Sequence, residues 1–120
     1  METGNDEAAL FRKECLYWQD LLGLTDWTLQ FSAEDAGGKH DEALVDFDCD
    51  TRHAKIVYYV GVKDSLHPSD VACHEILHLL FADMLLSAIE ARDESDPRLA
   101  REEHRAIERL LKVLGKLRRK

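Results

Sequence analysis

"ACHEILHLLF", residues 72–81, places two histidines and a glutamate inside what otherwise reads as a buried apolar helix. Each helical residue advances by about 100°, so with His74 at zero, His78 falls near 40° and Glu75 near 100°. The three share one narrow arc. Leu77, Leu80, Phe81 and Met84 flank one side of it, and Ile76 and Leu79 lie behind. Such a helix is enclosed by protein and keeps a single polar window. Ionisable groups there are costly unless something pairs with them. A divalent ion is the partner that fits, because His–Glu–x–x–His sets two imidazoles four positions apart on one face. The glutamate between them reaches water at the ion rather than the ion itself. The competing reading, a core helix with histidines satisfied by neighbouring side chains, makes a poorly paired core.

A catalytic zinc site takes three protein ligands and leaves a fourth position to water. In the last helix, Leu99, Ala106, Ile107, Leu110, Leu114 and Leu117 fall within about 60° on either side of Glu103, and Arg105, Arg109 and Lys112 lie opposite. An acid in the middle of an apolar face is the same anomaly as the histidines, and one ion answers both. Glu103 is the expected third ligand. His104, near 100°, and Glu108, near 140°, remain alternatives at the edge of the face. As a non-ligand, His104 reads as a surface histidine or a support to the ligands.

The rest of the chain frames these two helices. Between residues 6 and 22, Leu10, Phe11, Cys15, Trp18, Leu21 and Leu22 recur at helical spacing, and Gly23 supplies a stop. "WTLQFS" (27–32) and "ALVDFDCD" (43–50) alternate as half-buried strands, and "AKIVYYV" (54–60) is a third strand joined to its predecessor by a tight turn at 51–53. Residues 34–42 read as a polar loop, and Pro68, Ser69 and Asp70 start the helix that carries the histidines. "RDESDP" (92–97) breaks the chain before the last helix, with Asp96 and Pro97 suited to its start. The order helix, three strands, helix, helix predicts one α+β domain over residues 1–120, with a mainly antiparallel three-stranded sheet. "DFDCD" resembles the opening of a calcium loop, but Thr51 and Val57 stand where that loop needs glycine and glutamate, so the aspartates read as a solvated strand face.

At 120 residues with a formal net charge of -8, the chain lacks the basic surface of a general nucleic-acid binder. The basic end "GKLRRK" suits a helix C-terminus. "METGNDEAAL" does not read as a signal peptide, and no apolar run approaches membrane-spanning length, so no membrane partner is expected. Three scattered cysteines, Cys15, Cys49 and Cys73, fit a reducing compartment and a cytoplasmic location, with Cys73 a small core residue.

"HEILH" on a central helix, followed after a short break by "EEHRAIERL", resembles the compact zincin-like metallopeptidases of the HExxH…E, or gluzincin, type. Small phage and prokaryotic metallopeptidase-like proteins and ImmA/IrrE-type peptidase domains are of this kind. "WTLQF", "ALVDFDCDTRHAKIVYYV" and "HPSDVACHEILHLL" follow the family's order of strands leading into the active-site helix, so the resemblance runs from about residue 16 onward. It implies a minimal zincin-like fold, one Zn2+ per chain, hydrolysis of protein or peptide substrates, and a sheet-edge strand alongside the bound peptide. Carried over residue by residue, it makes His74 and His78 zinc ligands, Glu75 the general base and Glu103 the third ligand. The ImmA/IrrE-type Ala–Asn–Phe run after that glutamate is absent here, where the context is Glu–His–Arg–Ala–Ile.

The expected chemistry is attack of activated water on a peptide carbonyl, with Tyr58, Tyr59, His53 and His67 as candidate oxyanion donors; Tyr58 otherwise reads as core. Rival readings are a zinc-binding module without activity, a zinc hydrolase of non-peptide amides or esters, and a metal-free interaction domain. Two imidazoles and a carboxylate also accept other divalent metals.

Overall fold

The computed structural model describes residues 3–38, 41–62, 66–91 and 97–118. They form α1 (Thr3–Leu21), β1 (Thr28–Asp35), β2 (Ala43–Asp48), β3 (His53–Val60), α2 (Pro68–Ala91) and α3 (Pro97–Arg118). The chain is of the α+β class, with three helices and a three-stranded sheet. The predicted break at 92–96, including Asp96, lies outside the described residues.

α1 buries Phe11, Cys15 and Trp18 of the expected stripe, while Leu10 and Leu21 are exposed. It ends at Gly23, whose φ of 71° is the left-handed conformation that glycine adopts without a Cβ penalty. Gly23 N–H donates to the Asp20 carbonyl (3.1 Å) and Leu24 N–H to that of Gln19 (2.9 Å), and the buried Leu24 closes this Schellman cap.

The sheet order is β1-β3-β2. β2 and β3 form the expected antiparallel hairpin, from Ala43↔Tyr58 to Asp48↔His53. β1 instead pairs with β3 in parallel, from Thr28↔His53 to Asp35↔Val60, so the sheet is mixed rather than mainly antiparallel. The reason lies in β3. Ala54, Ile56, Tyr58 and Tyr59 are all buried, so this strand takes the middle position and accepts partners on both edges. β1 also runs longer than expected, taking Glu34 and Asp35 from the polar loop.

The β2–β3 turn is organised by Asp48, whose Oδ1 accepts from the N–H groups of Asp50 (2.9 Å) and Thr51 (3.4 Å). Arg52 follows at φ 56° and joins three elements. Its carbonyl accepts from Thr28 N–H at the start of β1 (2.8 Å). Its guanidinium stacks on the Trp27 ring at 4.5 Å and pairs with Asp26 (2.7 Å) and with Asp83 of α2 (2.8 Å).

α1 and α2 pack together against the sheet, and α3 packs on α2. Phe11 of α1 stacks on Tyr58 of β3, with ring centroids 4.6 Å apart. α2 is the central element, burying Val71, Ala72, Cys73, Ile76, Leu77, Leu79 and Ala82 around most of its circumference. Among the described residues, no helix is long and apolar enough to cross a membrane.

Candidate metal centre

α2 is started by a histidine. His67 caps it: its Nδ1 accepts from Ser69 N–H (3.1 Å), and its carbonyl accepts from the N–H groups of Asp70 (2.9 Å) and Val71 (3.2 Å). Pro68 takes the first helical position, where no N–H is needed. The helix then carries His74, Glu75 and His78 into the space between β2 and α3.

α3 brings the complementary groups. Oε2 of Glu103 lies 3.1 Å from His78 Nδ1, and Oε2 of Glu108 lies 3.2 Å from His74 Nδ1. The first pair is the more secluded, with the His78 and Glu103 side chains 15% and 8% exposed. A neutral imidazole that faces an ionised carboxylate through Nδ1 donates there and keeps its lone pair on Nε2. That is the tautomer of a metal-ligating histidine supported by a carboxylate. The ring centroids of His74 and His78 are 5.0 Å apart, and the His104 ring lies 5.9 and 5.2 Å from them.

Ligand atoms of His78, Glu103 and His104 all lie within 4.8 Å of one another, a span one ion can bridge. The donor types suit zinc, to which imidazole nitrogen and carboxylate oxygen are ordinary ligands. His74 stands beside this set rather than in it, held by Glu108.

His104 and Glu108 also face α2, although the helical wheel set them at the edge of the apolar face. Leu110 and Leu117, counted in the apolar face, are exposed, while Ile107, Leu111, Leu114 and Gly115 turn inward. The buried face of α3 is thus rotated by roughly 50° towards His104 and Glu108. Two signals in the sequence pointed that way. Gly115 lets a neighbouring element approach, and Arg118 shares its side of the helix, reaching Glu14 of α1 through Nε (3.1 Å) and Nη2 (2.9 Å). The side chain of Leu99, also assigned to that face, lies outside the described residues.

Glu75 is 7% exposed, and no hydrogen bond or ion pair reaches its carboxylate from the described residues. Burial, reinforced by the charges of Asp41 and Glu42, pushes it up to about 7. Burial likewise pushes His74 below the ordinary histidine range, assisted by His78 and opposed by Glu108. Glu75, His74, His78 and His104 line a cleft of about 320 Å3 whose other wall is Ala43, Leu44, Val45 and Phe47 of β2. A larger cleft of about 570 Å3, between Asp46–Asp50 and Leu85–Leu86, contains neither His74 nor His78.

No family model, curated protein or solved structure matches this chain.

None of the four candidate oxyanion donors lines the cleft at Glu75. Tyr58 is core, its hydroxyl donating only a long bond to Glu7 (3.4 Å) and pushed up to about 12 by burial. His53 Nε2 meets Gln30 Oε1 at 3.1 Å, His67 caps α2, and Tyr59 is buried. Cys73 is fully buried, as its place on the helix suggested.

Proposed function

We propose that this chain is a zinc-dependent metallopeptidase of the zincin-like kind, acting on protein or peptide substrates. One observation carries the reading. A buried Glu75, without a partner among the described residues, sits beside two histidines that turn Nδ1 to carboxylates on the facing helix and leave Nε2 clear of them. A structural zinc site has no use for such a glutamate.

His74, His78 and Glu103 would hold the ion, and the close grouping of His78, Glu103 and His104 supports His104 as a ligand in place of His74. Zinc bound there supplies Lewis acidity towards water and the scissile carbonyl. Glu75 takes the proton released as water attacks and returns it to the leaving amine. Glu108 orients His74, and Glu103, until it ligates, orients His78. β2 supports a peptide over other carbonyl substrates: it pairs only with β3, which leaves its outer edge beside the cleft for an extended chain.

The test is the metal content of the untagged protein by elemental mass spectrometry, beside a His74→Ala control, followed by peptide cleavage with Glu75→Gln as the blank. About one zinc per chain, lost in the control, together with cleavage lost in the blank, supports the reading. Zinc without cleavage assigns the chain to zinc-binding modules. No uptake of zinc, even when it is added, reduces "HEILH" to packing.

A further inference from the structure

Each helix carries a seam at coiled-coil spacing, in steps of four, three and four that keep its side chains within an arc of about 60°. On α1 the seam is Leu10, Glu14, Tyr17 and Leu21. On α2 it is Cys73, Leu77, Leu80 and Met84. On α3 it is Ala106, Leu110, Val113 and Leu117. The three seams meet at Glu14. Its carboxylate holds Arg118, the residue after Leu117, and Ser69, one turn before Cys73, stands beside it. Arg118 also covers the Tyr17 ring.

Away from Glu14 the seams reach the surface. Cys73 and Leu77 are fully buried, whereas Leu80 is 39% and Met84 63% exposed. Leu10, Tyr17 and Leu21 of α1 and Leu110, Val113 and Leu117 of α3 are exposed as well. The seams thus hold eight of the twelve large apolar side chains exposed among the described residues. A face that gathers most of a chain's exposed apolar side chains marks an interaction surface.

Within residues 1–120, the longest stretch outside the described residues is the five residues 92–96, too short to cover three helices. The charges at the rims say what does. Beyond the α1 seam stand Asp6, Lys13 and Asp20, and beyond the α3 seam Glu102, Arg109 and Lys116, all exposed. Glu102 is paired with Arg105 at 3.3 Å, which leaves the α1 rim acidic and the α3 rim basic. Over the whole helices the contrast is larger. Thr3–Leu21 has four acids and two bases, and Pro97–Arg118 has three acids and seven bases. An acidic helix or an anionic surface matches the α3 rim and is repelled at the α1 rim. A second copy, turned about a two-fold axis parallel to α2, matches both. It sets α1 of each copy on α3 of the other, and the uncharged Leu80 and Met84 on themselves.

We propose that the face formed by α1, α2 and α3 is a self-association surface, through which two copies of this chain form a symmetric dimer with α1 of each on α3 of the other. The dimer does not rest on the peptidase reading. On α3, His104 lies about 150° from the seam, so the metal centre stays open.

The experiment is analytical ultracentrifugation with chelator in 0.15 M salt, from about 1 to about 200 µM chain. Dimer should predominate at the upper concentration; a chain that stays monomeric, or that forms larger species, overturns the proposal. Met84→Glu/Leu117→Glu should raise the dimer Kd at least about ten-fold. Leu16→Glu/Leu44→Glu, at exposed apolar positions off this face, should leave it within about two-fold. A dimer that survives the first pair or is lost in the second overturns the proposal. Circular dichroism checks the fold of each variant, and if the first pair does not fold, Met84→Gln/Leu117→Gln takes its place. Asp20→Lys and Arg109→Glu/Lys116→Glu should each weaken the dimer about five-fold or more when alone. Mixed one to one, they should restore it, because the altered α1 of one then meets the altered α3 of the other in opposite charge. A mixture no tighter than its components overturns the arrangement of α1 on α3, and the proposal with it.

Discussion

Glu103 Oε2 lies 3.1 Å from His78 Nδ1, joining the second turn of α3 to the middle of α2. Both side chains are largely buried, so neither is readily satisfied by water if the other is removed. Metal affinity should therefore depend on this pair. Glu103→Ala should weaken zinc binding by ten-fold or more, the scale of losing a ligand or its support. Competition with a chromophoric chelator measures this directly. A larger loss in His104→Ala than in Glu103→Ala would move the third-ligand role to His104.

Glu75→Gln separates binding from chemistry. Zinc content should match the parent, while peptide hydrolysis falls by about a hundred-fold or more, the usual worth of a positioned general base. Loss of zinc from this variant would make Glu75 a ligand and remove the proposed base.

The same residue should leave a mark on stability in the metal-free protein. Its folded proton affinity, about 7, exceeds the ordinary carboxyl value of 4.5, so the folded state binds more protons than the unfolded state between those pH values. Stability should fall as pH rises through that window, by an amount on the order of 2 kcal/mol. Urea denaturation at pH 5 and pH 8 checks it. Glu75→Gln should flatten the difference, and an unchanged slope would show that Glu75 is not its source.

Arg118 and Glu14 fasten the end of α3 to α1, and Arg118 also lies 3.8 Å over the Tyr17 ring. The hydrogen-bonded Arg118 guanidinium holds the buried Glu14 carboxyl below its ordinary range. The stability this contributes is fully present above the ordinary carboxyl value and is lost as pH falls through the depressed folded one. Arg118→Gln should lower the melting temperature by roughly 5–15 °C at pH 7, because it strands a buried carboxylate. Zinc affinity should fall as well if the clamp holds α3 in its rotation, since the same helix carries Glu103 and His104. Calorimetry with and without zinc reads both effects.

Tyr58→Phe should leave hydrolysis within about two-fold of the parent, since the hydroxyl makes only one long hydrogen bond, to Glu7, and lies outside the cleft. A drop of ten-fold or more would return Tyr58 to the candidates for oxyanion donor.

Much of this architecture was legible in the order of residues because it rests on periodicity. The stripe of Phe11, Cys15 and Trp18, the Gly23 stop and the arc of His74, Glu75 and His78 each follow from spacing along one element. The parallel pairing of β1 with β3 did not, since alternation says which face a strand buries and nothing about which neighbour it takes. The rotation of α3 escaped for a related reason. Leu110 and Leu117 count as core on a helical wheel, yet the Arg118–Glu14 clamp and the inward Gly115 turn them to solvent. Asp41 and Glu42 carried no local signal at all; only the fold brings them to Glu75.

The sheet order β1-β3-β2 also constrains how the chain assembles itself. The central strand is the last of the three to be synthesised, so β1 and β2 have no sheet partner until residues 53–60 have left the ribosome. The β2–β3 hairpin closes over a short loop and can form first, and β1, joined to β2 through residues 36–42, then docks on the other edge of β3. Arg52, at the hairpin's turn, then secures both Thr28 and Asp26, so the step that completes the hairpin also creates the landing point for the earliest strand.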